Sequence, residues 1–164
     1  MNEIPISSEV LLRTVEDAVR EGQSVIIAGT GDSMRPFIRP ETDKLLLAPL
    51  PARALLPGDV VLYRRPGGEA VIHRIFRVRG DSYDMLGDNQ LLIEQNVPRA
   101  CVIAYVKEVI RPDGALDCDT DEERRRAVQT MRDRLHPKKD HLLRRCARAA
   151  KRRAARLLKQ RKTT

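Results

Sequence analysis

A serine, a histidine and an aspartate, each set where packing alone would not select it, are the residues of this 164-residue chain best suited to chemistry. Ser33 stands in Gly31-Asp32-Ser33-Met34-Arg35-Pro36, where Gly29 and Gly31 let the backbone turn sharply and present a hydroxyl at an exposed corner. A serine there is a nucleophile only if a base is near. His73 interrupts the otherwise apolar run Val71-Ile72-His73-Arg74-Ile75. An imidazole, with an ordinary pKa of about 6.5, can take a hydroxyl proton at neutral pH without deep burial. Asp88 follows a strand-like run in the turn Leu86-Gly87-Asp88-Asn89, and Leu56-Pro57-Gly58-Asp59-Val60-Val61 is a second Gly-Asp turn that launches a strand. Ser33, His73 and Asp88 lie 40 and 15 residues apart, so only a fold can join them. Taken singly they read as a turn serine, a satisfied core histidine and an aspartate bonded to its own turn; Asp59 is read as structural.

The elements that must position them are mainly β. Residues 7–21 place Leu11, Val15, Ala18 and Val19 on one side of a helix, with Ser7 or Ser8 as N-cap and Gly22 as the stop. Beyond Ser24, the runs SVIIAG, KLLLAP, DVVLYR, AVIHRIFRV, SYDML and CVIAYVKEVI alternate with Gly, Pro and Asp punctuation, which predicts an all-β body. RPDG at Arg111–Gly114 reads as a turn, so the body is expected to span 1–112 and a helical, Arg/Lys-rich extension 113–164, its first helix DEERRRAVQTMRDRL ending before Pro137.

In this order, G-D-S-M-x-P, P-G-D-V-V, H-R-I and G-D-N resemble the signal peptidase I superfamily, which includes the self-cleaving repressors of the bacterial DNA-damage response, over about Val25–Val109. The resemblance implies a serine endopeptidase with a signal-peptidase-like β body, in which Ser33 attacks the peptide carbonyl. The residue before the arginine of the third motif is the family's general base, a lysine in most bacterial members and a histidine in the endoplasmic-reticulum and archaeal type. Here it is His73, and neither Lys44 nor Lys107 fits the lysine position, so the chain resembles the histidine type. The resemblance further implies that Asp88 orients His73, with Glu94, six residues on, in support. Many members carry a hydroxyl residue two positions before the nucleophile, where this chain has Gly31. The oxyanion hole then rests on backbone N–H groups at Ser33 and Met34, helped by Thr30. Met34, Phe37 and Ile38 would line a shallow cleft for small side chains, with core packing as the equal alternative. The implied substrate is an extended peptide, backbone-paired beside the strands, of leader or signal-like character. Ala28-Gly29 matches the bond that self-cleaving repressors cut, but it lies too close to Ser33 in the chain to fold back into the site.

Charge and composition narrow the alternatives. From Arg134 to Thr164 there are 13 Lys and Arg against Asp140 alone, a net of +12, which leaves −4 for the rest. Three readings of the tail compete: an in-plane helix on anionic membrane through residues 138–162, phosphate contact with nucleic acid through the same residues, and a solvated basic tail. The rival to an enzyme is therefore a non-catalytic β scaffold acting as a nucleic-acid or lipid adaptor. A repressor is disfavoured, because one N-terminal helix makes no helix-turn-helix. No run approaches 18 apolar residues and MNEIPISSEV is not a secretory signal, so a cytoplasmic protein, with peripheral membrane association open, is expected. Cys101, Cys118 and Cys146 are too few and too scattered for a disulfide framework. His136, His141 and Cys146 flank Pro137 and share no helix face, so no metal is expected, and no cofactor.

Overall fold

A largely buried strand lies at the centre. Strand β3 (Val60–Arg64) has its first four residues buried, and it is paired on one side with β4 (Ala70–Arg79) and on the other with β7 (Val102–Arg111). A strand covered on both faces reads as a continuous apolar run, as DVVLYR does. The computed structural model describes residues 7–136. Within them one antiparallel sheet runs in the order β1 (Val25–Ala28), β2 (Lys44–Ala48), β7, β3, β4, β5 (Ser82–Leu86) and β6 (Glu94–Pro98), while β8 (Gly114–Asp117) pairs with β7. This is the mainly β architecture expected.

Alternation along β3 sends Val60 and Leu62 to one core and Val61 and Tyr63 to another. Leu45, Leu47, Val106 and Val109 complete the first core, which helix α1 (Ser8–Arg20) covers with Leu12 and Val15. Ser7 caps α1 by accepting from the Val10 N–H, and Gly22 ends it at φ +76°. The buried stripe of α1 centres on Leu12, with Leu11 and Val19 only packed against its rim.

Two strands carry no apolar signal. Sheet-edge strand β6 buries only Val97, and β8 is four residues long. Although 112 was the expected end of the body, β8 adds to β7 beyond it. Helix α2 (Asp121–Leu135) then packs Ala127 and Met131 inward, so the first compact unit extends to Met131. Arg124 of α2 is buried and pairs with Asp59, Asp119 and Asp121, and Arg53 also binds Asp59 and Asp119. Gly58, at φ +100°, admits the helix, since a Cβ there would lie 2.6 Å from the Arg124 carbonyl oxygen. The second unit begins at Arg132, and the tail readings at 138–162 lie outside the described residues.

Candidate active site

The chain leaves β1 through Gly29, whose Cβ would sit 2.9 Å from Ile38 Cγ2, and Gly31, at φ +74°. The left-handed backbone at Gly31 is one that glycine adopts without strain. Met34 and Ile38 turn inward to the first core and leave Ser33 half-buried. The turn is held from across the site: Asn89 donates its backbone N–H to the Ser33 carbonyl over 2.7 Å and its side-chain amide to the Asp32 carbonyl over 3.2 Å. Gly87 permits that approach, because a Cβ on it would lie 2.6 Å from the Ser33 oxygen. The Gly87-Asp88-Asn89 turn therefore fits against the serine turn backbone to backbone.

His73 lies in β4 opposite Val61 and is 2% exposed. One diagonal step away on the same face, the Tyr63 hydroxyl is 3.1 Å from His73 Nδ1. That hydroxyl donates to Glu94 Oε2 over 2.8 Å, and Glu94 in turn receives Nε and Nη2 of Arg65 at 3.0 and 2.8 Å. Burial is the main force on the imidazole, and the Arg65 charge adds to it. Together they outweigh Glu94 and push the His73 pKa down to about 4. Burial pushes the Glu94 carboxyl up, but hydrogen bonds from Arg65 and Tyr63 hold it below the usual range. Burial and the neighbouring carboxylate raise the Tyr63 phenol.

Asp88 has a different partner from the one expected. Both of its oxygens lie 3.0 Å from Arg74 Nε, so the residue bonded to the imidazole is Tyr63 and Asp88 serves the next residue along β4. Buried Arg74 also donates to the Gly58 carbonyl and to Glu123 of α2, and its guanidinium carbon lies 3.8 Å above the Phe37 ring. One guanidinium thus ties the Asp88 turn, the segment after Ser33, the Gly58 turn and α2 to the strand that carries His73.

Ser33 and His73 line one cleft of about 870 Å³. Its walls are Ile26–Ala28 of β1 and Ala70–His73 of β4, and its floor includes Leu45, Leu62, Met34 and Ile38. Thr30 and Gly31 lie at its rim, and Arg65 and Gln90 add polar groups. Phe37, expected in the lining, is instead engaged under Arg74. Among the described pairings β1 meets only β2, and residues 70–73 of β4 meet only β3, so both walls present unpaired backbone edges to the cleft.

The Peptidase S24-like family profile matches residues 2–113, well over half of the chain, and takes in all four motifs. This chain belongs to the Peptidase S24-like family. No curated protein and no solved structure matches it. Membership in the Peptidase S24-like family brings serine peptidase or autoprotease chemistry in general terms, and with it a peptide or protein substrate. The S24-like match ends at Asp113, before β8 and α2 begin. Among the described residues no helix is long and apolar enough to cross a membrane, and no cluster of His, Cys, Asp and Glu could hold a metal ion. Sequence reasoning missed Tyr63, Arg65, Asn89 and the hub role of Arg74. A hydroxyl in the buried run DVVLYR was the one available signal for Tyr63, since such a group needs a partner.

Proposed function

We propose that this protein is a serine endopeptidase of the histidine type, with Ser33 as nucleophile and His73 as general base. The observation that carries the reading is that one cleft is lined by both residues and by two strand segments with unpaired edges. An extended peptide entering there can pair with β1 on one side and with residues 70–73 on the other, and apolar walls from Ile26 to Ile72 suit the small apolar side chains of a leader or signal-like segment.

Ser33 Oγ attacks the scissile carbonyl carbon while its proton passes to His73 Nε2. The carbonyl π pair moves onto oxygen, which the N–H groups of Ser33 and Met34 receive, with Thr30 at the rim. Collapse breaks the C–N bond, His73 returns the proton to the leaving amine, and an acyl-Ser33 ester remains. Water, deprotonated by His73, hydrolyses the ester to the new carboxyl terminus and restores Ser33. In this scheme Asp88 holds Arg74 and the serine turn together, and Glu94 supports His73 through Tyr63.

The test is cleavage of a peptide library by the wild type, Ser33→Ala and His73→Ala, read by mass spectrometry from pH 4 to 9. Products that both substitutions abolish support the assignment. Products that persist in Ser33→Ala, or a wild type that cuts nothing, overturn it.

A further inference from the structure

We infer that Tyr63 is a positioning residue for this hydrolysis: its hydroxyl, lodged between Glu94 and His73, holds the imidazole in the tautomer with hydrogen on Nδ1 and the lone pair on Nε2. The inference rests on the reading of His73 as the base and names what keeps that base ready.

Hydrogen counting carries it. A phenol has one hydrogen to give, and the Glu94 carboxylate, gripped by two nitrogens of Arg65, has none. The Tyr63 oxygen lies 2.8 Å from Glu94 Oε2, and two bare oxygens at that distance would repel, so the phenol hydrogen must lie between them. The phenol then has only lone pairs left for His73 Nδ1 at 3.1 Å, and that contact is attractive only if Nδ1 carries a hydrogen. A neutral ring protonated on Nδ1 has its lone pair on Nε2, the atom that must receive the Ser33 proton.

The interposed phenol also separates orientation from basicity. A carboxylate set directly on an imidazole raises its pKa and stabilises the imidazolium in the resting state. The charged or titratable groups facing this ring are Tyr63 on β3, Arg65 just beyond β3 and Glu94 at the start of β6, and with the phenol between them the acid orients the ring without touching it. When Nε2 takes the Ser33 proton, the Nδ1–H bond to Tyr63 persists and no proton need pass to Tyr63 or Glu94.

The experiment uses the full chain and two readouts. Ring ¹⁵N shifts of His73, assigned with His73→Gln, report the tautomer without any substrate. The wild type at pH 7 is expected to show protonated Nδ1 and bare Nε2, and Tyr63→Phe a mixture of the two tautomers. On the best-cut library peptide, Tyr63→Phe should lower kcat about 10–100-fold with KM within about twofold. A wild-type ring protonated on Nε2 overturns the inference even if Tyr63→Phe does not fold. A wild type that cuts peptides as fast as Tyr63→Phe also overturns Tyr63 alone and leaves the peptidase reading standing. A wild type that cuts nothing overturns the peptidase reading and, with it, the catalytic use of Tyr63.

Discussion

Asn89 donates its backbone N–H to the carbonyl oxygen of Ser33 over 2.7 Å, so the Gly87-Asp88-Asn89 turn sets the position of the Ser33 peptide. Gly87→Ala should break this fit, because the new methyl would meet the Ser33 oxygen at 2.6 Å and the Gln90 side chain at 3.1 Å. A shift of about 1 Å at a reacting group can cost about 100-fold, so peptide cleavage should fall at least about 10-fold. The stability cost should be about 1–3 kcal/mol, measured by urea unfolding, as for other overpacked sites.

With His73 as the proposed base, its pKa should set the acid limb of activity. With the imidazole pushed down to about 4 by burial and Arg65, kcat/KM should stay flat from pH 8 to about 5 and fall only below that, where the free enzyme's base protonates. A limb centred near the ordinary imidazole value of about 6.5 would mean the ring is solvated in solution.

Stability follows the same group with a definite sign. The unfolded chain protonates His73 near its ordinary pKa, before the folded chain does, so the unfolded state binds more protons between about 6.5 and 4. The preference for the neutral ring, about 3 kcal/mol at most, is therefore present above about pH 6.5 and lost as pH falls towards 4. Urea midpoints of the wild type should decline across this window more steeply than those of His73→Gln.

Arg74→Gln should be among the most damaging single changes. It leaves Asp88 and Glu123, both mostly buried, without their shared cation, at a cost of about 3–5 kcal/mol. That is a large part of a typical domain's stability. Asp88→Asn should cost less, since Arg74 keeps Glu123 and the Gly58 carbonyl. Equal losses in chemical denaturation would show that Asp88 is the principal anchor of Arg74.

A chain ending at 112 should be less stable than one ending at 136. The shorter form loses β8 and α2 and leaves buried Asp59 with Arg53 but without Arg124. Comparable unfolding midpoints for the two would show that α2 adds nothing to the body.

The β class and six of the eight strands were legible because their apolar runs and Gly or Pro boundaries are local properties, as in KLLLAP and DVVLYR. Strands β6 and β8 were not, since EQNVP and GALD pair by backbone hydrogen bonds with few buried side chains. Ser33 and His73 could be singled out because each violates its surroundings, a hydroxyl at a glycine corner and an imidazole in an apolar strand. Asp88 was legible as a residue but not in its partner. Arg74 follows His73 in the chain, but its partners Asp88, Gly58 and Glu123, like the contact of Tyr63 with His73, are brought together only by the fold, which no local pattern encodes.

Glu123 and Arg124 reach back from α2 to Arg74 and Asp59, yet both lie past residue 113, where resemblance to the family stops. The extension is thus not an interchangeable appendage. Any chimera that grafts the family portion of this chain onto a foreign carboxyl-terminal segment inherits counter-ions whose partners were left behind, and must supply an acid and a guanidinium of its own at that junction.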